Sequence, residues 1–335
     1  MAIINKTIGA TGRDYTTFTL WEADLDSGSI YSSGDTAEGE FYNDGTFNEN
    51  FTINGGATIG LAKIILKPGA GQMHDGTAGN GARIVKTGSG PVVTFGSTVV
   101  TEMNGLEIDM NDQQISGSTR GIVHFLDTST SVDKVYQMLI HDAIQTSDRT
   151  ISGIMFTGVP GAADILNSIM YNLQLTDSLG MIRGIFDDGS GSQNVKLLNL
   201  TIHKIERNAA SGNAEGVNLL DGGAKTMQNV IVTDTGGSTS GSTVDFANSS
   251  YTNATVDHNL SSDTTASGTG SLTSKTSANQ YVSTVSGSED LHLKSGADAI
   301  DAGTDLGVTP SGVELDINNR DRDSNADVWD MGAHE

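Results

Sequence analysis

The strongest constraint on the fold is a repeat of about 32 residues in the middle of the chain. Four units begin with a glycine and an apolar run, at Gly121, Gly153, Gly184 and Gly216, in nearly equal steps. A fifth copy begins at Thr243, after a shorter step. A second apolar piece follows in each unit, as in "VYQMLIHDA" and "VKLLNLTIHKI". Segments rich in Gly, Ser, Asn and Asp lie between the pieces and predict turns.

The apolar residues within each piece alternate with a period of two, which is typical of β-strands. One unit alone has too few apolar residues to bury a core. Stacking the units with strands of successive coils ~4.8 Å apart would bury a continuous apolar column. A propeller blade needs roughly 40–50 residues and four strands, and a β-sandwich does not explain the regular step. We therefore predict an all-β solenoid.

Composition and charge limit the partners of such a solenoid. The chain has 18 basic and 41 acidic residues and a formal charge of −23. We therefore expect no nucleic acid and no anionic membrane as a partner, because both require a basic surface. The absence of cysteine excludes disulfides and zinc-thiolate sites. The start of the chain, "MAIINKTIGATGRDY", has no apolar signal region. We therefore expect a virion or extracellular location reached by a route without a signal peptide.

Both ends of the chain carry a family resemblance. The opening "GRDYTTFTLWEADLDSG" and the closing "AIDAG" followed by "DINNRDRDSNADVWDMGAHE" resemble segments of the right-handed parallel β-helix proteins of the pectate-lyase-like kind, in phage and environmental bacteria. This chain has "DINN" where those proteins have "DIDG", and Met331 in place of Ile. The resemblance implies a right-handed parallel β-helix, with "YTTFTLWEADL" as a short N-terminal capping helix and a C-terminal cap.

One continuous domain of three parts is therefore expected. Residues 1–100 hold the N-terminal cap and the first coils. Residues 101–262 hold the central coils, each of about 32 residues. Residues 263–335 are expected to hold the last coils and the C-terminal cap.

Aligning the second strand pieces predicts one outward column of side chains, formed by Asp109, His141, Tyr171, His203, Thr233 and His258. The next position reads Met110, Asp142, Asn172, Lys204, Asp234 and Asn259. His141 and His203 are two coils apart, roughly 9.6 Å at the spacing of strands. One metal ion, which holds imidazole nitrogen at about 2.0–2.1 Å, cannot bridge them. The Asp and Asn residues favour a stacked turn ladder.

Carboxylates also follow the first strand piece, at Asp127, Asp187, Asp188 and Asp221. Glycan-cleaving enzymes use two such groups, one as acid and one as base or nucleophile. Asp187, Asp188 and Asp221 are therefore the candidate catalytic residues of a hydrolase. A lyase would also need a cation to neutralise uronate, for which the chain offers Arg183, Lys196, Lys204 and Arg207. Against catalysis, "DDGSG" and "LDGG" also read as plain turns, and aromatic residues make up only 5% of the chain.

The tail, residues 316–335, is rich in charged side chains. Its oxygen-bearing residues have the spacing of positions 1, 3, 5 and 7 of a calcium loop: Asp321, Asp323, Asn325 and Asp327. Ala326 stands where such a loop has Gly, and Gly332 stands where it has the bidentate Glu. The tail therefore predicts either a loose calcium site, the only cofactor we expect, or a terminator in which Trp329 covers the last apolar layer.

Two functions remain open. The favoured one is a non-enzymatic virion or extracellular structural protein, such as a capsid decoration, a fibre or a receptor-contacting component. It would contact other virion or surface proteins and form a homo-oligomer, with a trimer favoured. The alternative is a polysaccharide-degrading hydrolase or lyase that acts on a host glycan.

Overall fold

The computed structural model describes residues 1–88, 91–114, 121–126, 132–146, 150–157, 161–176, 180–188, 194–208, 212–220, 223–237, 241–247, 254–322 and 328–335. These residues form a right-handed parallel β-helix of about seven turns, with three parallel sheets along its sides. The all-β fold predicted from the repeat is confirmed. No helix in the described ranges is long and apolar enough to cross a membrane.

A complete coil contributes one strand to each sheet, and sheet A is the longest because the first turns and the last turn are incomplete. Its strands are β1 (Ile3–Ile8), β2 (Thr36–Phe41), β4 (Lys63–Pro68), β7 (Thr101–Asn104), β10 (Val132–Tyr136), β13 (Ala162–Leu166), β16 (Asn194–Leu198), β19 (Lys225–Gln228) and β22 (Ala254–Asp257). Sheet B consists of β5 (Arg83–Val85), β8 (Glu107–Asp109), β11 (Leu139–Gln145), β14 (Ile169–Leu175), β17 (Thr201–Arg207), β20 (Ile231–Thr233) and β23 (Leu260–Ser261). Sheet C consists of β3 (Phe51–Ile53), β6 (Val93–Phe95), β9 (Gly121–Phe125), β12 (Ile151–Phe156), β15 (Ile182–Asp187), β18 (Ala214–Leu219) and β21 (Thr243–Ala247).

The core is the interior of the coils, where equivalent residues of successive turns stack on one another. On sheet C, Phe95 and Phe125 are register partners with ring centroids 4.5 Å apart, and Phe156 stacks on Phe125 at 4.9 Å. All three are buried. Stacked rings at this spacing add to the area that each coil buries on its neighbour. The apolar column predicted from the repeat is therefore continuous through these turns.

The N-terminal end of the column is covered by the short helix α1 (Phe18–Ala23). Thr17 caps it, since its side chain accepts a hydrogen bond from the backbone N–H of Leu20 at 3.1 Å. Phe18 stacks on Phe51 of the first coils at 4.8 Å, and Trp21 is fully buried. A capping helix was predicted here over a longer segment, and the helix itself is six residues long.

A ladder of amide side chains lines the turn from sheet A to sheet B. Successive coils make this turn through a residue with φ between 48° and 58°: Gln137, Asn167, Asn199 and Asn229. Asparagine tolerates this left-handed conformation better than most residues. The Asn199 amide donates to Asn167 Oδ1 at 2.9 Å, and the Asn229 amide donates to Asn199 Oδ1 at 2.9 Å. The ladder therefore links three successive coils through buried side chains.

Residues after sheet B follow a different course from the coils that we expected there. Residues 263–275 cover the end of the last coil, where Leu272 bridges to Leu260 and Thr265 Oγ1 accepts from the Phe246 N–H at 3.0 Å. The described part of residues 276–335 adds no strand to the three sheets. It contains α2 (Ser277–Gln280) and an antiparallel pair, β24 (Tyr281–Ser283) and β25 (Asp290–Leu293). We call residues 276–335 the C-terminal strap.

The C-terminal strap lies across the outside of sheet B, and the amide ladder holds it there. Gln137 donates to Asp316 O at 2.7 Å, Asn167 to Gly312 O at 2.6 Å, Asn199 to Val313 O at 3.0 Å, and Asn229 to Thr304 O at 2.9 Å.

Trp329 was expected to close the last apolar layer, and this is wrong. It packs with Leu166, Leu198 and Val313, against coils in the middle of the stack. The tail therefore covers a side of the solenoid rather than its end.

We predict that Asn199 is essential to the ladder. Asn199→Ala removes donors from Asn167 Oδ1 and Val313 O and places alanine at positive φ, so we expect a loss of about 2–4 kcal/mol in the free energy of unfolding. Asn199→Gly loses the same hydrogen bonds but tolerates the backbone, so it should lose about 1 kcal/mol less. Urea unfolding of both variants measures this. Equal stability of the two variants and the unmodified protein would contradict the ladder.

Candidate functional site

The outward column on sheet B is present in the predicted register, except at its end. The register pairs Asp109 with His141, His141 with Tyr171, Tyr171 with His203 and His203 with Thr233. His258 was wrongly placed in this column. It has φ of 49° and lies in the turn before β23, because the last coil is shorter and Ile231 pairs with Leu260. Two histidines of the column, and not three, are therefore aligned.

The neighbouring position along the strands is a turn within sheet B. Asp142, Asn172, Lys204 and Asp234 all have φ between 56° and 58°, and the Asn172 amide donates to Asp142 Oδ1. This agrees with the stacked turn ladder predicted for these residues. Asn259 was placed in the same row, but it follows His258 and bonds to the backbone of Met227 and Val230.

The C-terminal strap buries most of the outward column. His141, Tyr171 and His203 are each at most 3% exposed. Tyr281 of the strap meets His203 edge to face at 5.5 Å, and its hydroxyl lies 3.3 Å from Thr233 Oγ1. Tyr171 stacks on His141 at 5.1 Å and separates it from His203, as the spacing of coils predicted. The far part of the column is therefore packed and hydrogen-bonded under the strap.

The near end of the column holds a compact group of Glu107, Asp109 and His141. One ligand atom from each residue lies within 4.8 Å of the other two. His141 Nε2 is 3.1 Å from Glu107 Oε1, and its Nδ1 is 2.9 Å from Asp142 Oδ2. Burial lowers the pKa of His141, but the hydrogen bonds to Asp142 and Glu107 outweigh it and raise the pKa to about 9. Without a bound ion, His141 is therefore a cation held between two carboxylates.

Sequence reasoning aligned Asp109 with His141 but missed Glu107. The signal was present in "NGLEIDMND", because residues two apart on a strand lie on the same face. Glu107 is fully buried, and its two carboxylate oxygens accept from the Gly79 N–H at 2.9 and 3.1 Å. Arg83 Nη1 lies 3.9 Å from Glu107 Oε1.

A cavity of about 310 Å³ lies beside this group. It is bordered by Thr77 and Ala78 from the N-terminal coils, by Asp142 and Tyr171 from sheet B, and by residues 287–290 of the strap. Glu289 Oε1 borders it and is buried without a hydrogen-bond partner. The strap therefore leaves a cavity beside Asp142 and Tyr171, whereas Glu107 and His141 are themselves buried.

Asp187, the first candidate catalytic residue, is part of the core. It is the register partner of Phe156 and Leu219, in the column that Phe95 and Phe125 begin. It is 1% exposed and forms an ion pair with Lys225, which is 2% exposed. Lys225 is the register partner of the buried Val195 on sheet A. This ion pair therefore joins sheet C to sheet A inside the coil.

The other predicted carboxylates do not join Asp187 within the described residues. Asp188 is half-buried and follows directly after the strand, where alternation turns it away from the core. Asp127 and Asp221 lie outside the described residues. Of the predicted calcium ligands, Asp321 is exposed and bridges to Leu315. Asp323, Asn325 and Asp327 lie outside the described residues, so the calcium site stays a prediction.

The outer side of sheet C carries a small mixed group. Arg183 Nε donates to Glu215 Oε2 at 2.5 Å, and the guanidinium lies 3.9 Å from the centroid of the Phe186 ring. Asn218 donates to the same Glu215 oxygen at 2.6 Å. Glu215 also borders a cavity of about 440 Å³ at the end of the sheet. An aromatic ring, a cation and an amide are groups that can contact a sugar.

Comparisons with known proteins identify no relative of this chain. No protein-family model matches the sequence, and no curated protein or solved structure matches it either. The β-helix therefore rests on the structure itself, and the likeness to pectate-lyase-like and phage proteins stays a prediction.

We predict that the Asp187–Lys225 pair is required for folding rather than for chemistry. Asp187→Asn leaves a buried ammonium group without its carboxylate and should cost about 3–5 kcal/mol of the free energy of unfolding. The double variant Asp187→Leu, Lys225→Met should recover most of this loss, because it replaces the pair with apolar side chains. Chemical unfolding of the three proteins measures it. A stable Asp187→Asn protein would contradict the buried ion pair.

Buried histidines predict acid sensitivity. Burial lowers the pKa of His74, His124 and His203 to about 4 and that of His334 to about 3. The unfolded chain takes up these protons near pH 6.5, so the stability is present above that pH and is lost as the pH falls towards 4.

For His203→Gln, the fall in unfolding free energy between pH 6.5 and 4 should be smaller than in the unmodified protein, by roughly 3 kcal/mol at most. Urea unfolding at several pH values measures this slope. A variant with the slope of the unmodified protein would show that His203 titrates normally in the folded state.

Proposed function

We propose that this protein is a non-enzymatic structural component of a virion or an extracellular surface, built on a β-helix scaffold. The observation that carries the proposal is the position of Asp187. A catalytic carboxylate must reach its substrate, whereas Asp187 is 1% exposed and paired with Lys225 inside the coil. The sequence favoured Asp187 and Asp188 as adjacent acids, and the strand turns them to opposite sides.

The sides of the solenoid also support a structural role. The strap covers the polar column of sheet B. On sheet A, charged residues pair between coils: Glu102 Oε1 lies 2.8 Å from Lys63 Nζ and 3.1 Å from Lys134 Nζ. Such ladders stabilise the stacking of coils. In this proposal, the partners are other proteins of the same assembly and further copies of the chain, with a trimer favoured.

One observation favours a second function, a glycan depolymerase acting at sheet C. Arg183, Glu215 and Phe186 combine a cation, a carboxylate and an aromatic ring on its outer side, although each is at most 9% exposed. This arrangement resembles part of what a lyase needs for uronate. Arg183 Nε already donates to Glu215 Oε2 at 2.5 Å, however. This ion pair would have to open before either residue could abstract a proton.

Two measurements distinguish these functions. Quantitative mass spectrometry of purified particles from the source should find a fixed copy number per particle, a multiple of three if the trimer is correct. Untagged protein incubated with a broad panel of polysaccharides should release neither reducing ends nor unsaturated uronates. Absence from every particle, or release of either product, would contradict the structural function.

Two variants make a positive result in the polysaccharide assay interpretable. Asp188→Asn removes a half-buried candidate acid without opening the Asp187–Lys225 pair, so it should fold normally. If the unmodified protein releases sugar and Asp188→Asn or Glu215→Gln abolishes the release, the depolymerase function is correct. Circular dichroism of each variant shows whether a loss of release reflects folding.

A further inference from the structure

We propose that Glu107, Asp109 and His141 bind one divalent transition-metal ion, with Zn²⁺ as the test ion. The three ligand atoms lie within 4.8 Å of one another. An ion bonded to carboxylate oxygen at about 2.0–2.2 Å and to imidazole nitrogen at about 2.0–2.1 Å fits between atoms this close. Two such bonds span at most about 4.4 Å, so ligand atoms further apart than this must move inward to share one ion.

The fold places these ligands without help from loops. Glu107 and Asp109 lie two residues apart on β8, and His141 is the register partner of Asp109 on β11. Strand residues at these positions project from the same face of the sheet. Sites built on strands hold their ligands more precisely than sites built on loops.

Asp142 orients the histidine as a metal ligand requires. Its carboxylate lies 2.9 Å from His141 Nδ1, which leaves Nε2 directed at Glu107 Oε1, 3.1 Å away. Histidines that bind metals commonly donate their other N–H to a carboxylate, which fixes the ring and the tautomer. Asp142 is held in turn by the Asn172 amide.

The charge around the group also favours a cation. Three carboxylates, those of Glu107, Asp109 and Asp142, surround His141, and Arg83 lies 3.9 Å from Glu107. Burying carboxylates together is costly unless a cation compensates them. Without an ion, His141 and Arg83 supply this compensation at Glu107; a bound divalent ion would displace the proton of His141 and supply it instead.

A neighbouring cavity reaches Asp142, the carboxylate that lies against His141 Nδ1. It has a volume of about 310 Å³ and is bordered by Asp142 and Tyr171. Glu289, 8% exposed, borders the same cavity with an oxygen that has no hydrogen-bond partner.

The ligand set selects the class of metal. Two carboxylates and one imidazole suit Zn²⁺ or Mn²⁺, whereas Ca²⁺ prefers oxygen ligands alone. The site is therefore distinct from the calcium site predicted in the tail. An ion here would join two successive coils of sheet B beside the strap.

Isothermal titration of untagged, EDTA-treated protein with Zn²⁺ tests the site. We expect one Zn²⁺ per chain and a rise in the melting temperature. Asp109→Asn and His141→Gln should abolish this binding, and Asp142→Asn should weaken it by about 10- to 100-fold. Co²⁺ bound to the unmodified protein should show a visible ligand-field band that His141→Gln removes.

A matched control comes from His258, which also has a carboxylate neighbour, with Nδ1 lying 3.0 Å from Asp257 Oδ1. His258→Gln should bind Zn²⁺ like the unmodified protein. Asp109 is partly exposed, so Asp109→Asn should fold, and its melting curve in EDTA verifies this. The proposal is overturned if the unmodified protein binds no Zn²⁺, or if folded Asp109→Asn and His141→Gln bind it unchanged.

Discussion

The turn from sheet A to sheet B is the constraint on which the rest of the structure depends. Successive coils make this turn through one residue in the left-handed region, and asparagine occupies it in three of them in a row. Its amide donates along the ladder and to the strap, while its oxygen accepts from the next coil. A hydrophobic side chain could not donate a hydrogen bond to the backbone carbonyls of the strap. The same residues therefore set the geometry of the coil and the position of the C-terminal strap.

Much of the fold could be predicted from the sequence, because a solenoid repeats local information. The period of two within strands and the regular step between coils predicted the register of Asp109, His141, Tyr171 and His203 correctly. The prediction failed at His258, where the final coil is shorter than the others and the alignment slipped into the turn. Near the end of a repeat, register depends on which residue turns the chain, and this is not visible in an apolar pattern.

Asp187 shows a different kind of error. The sequence predicted Asp187 as a candidate catalytic residue, with a plain turn at "DDGSG" as the alternative. Its register partners are Phe156 and Leu219, so the sequence already held the information that this position faces inward. What could not be predicted is the partner, because Lys225 comes from another sheet, 38 residues later. The role of a buried charged residue can be interpreted only when its oppositely charged partner is also located.

The strap had no periodic sequence signal, because the ladder of successive coils contacts it at irregularly spaced residues: Thr304, Gly312, Val313 and Asp316. Yet it decides which part of the sheet B column can bind a ligand. Where Tyr281 packs on His203, the column is covered and His203 is hydrogen-bonded to Thr233. Where the strap leaves a cavity at Asp142, the same face of the sheet holds ligand atoms of Glu107, Asp109 and His141 within 4.8 Å of one another. The repeat makes a row of similar polar positions, and the non-repetitive strap distinguishes the position of the proposed ion from the covered position of His203.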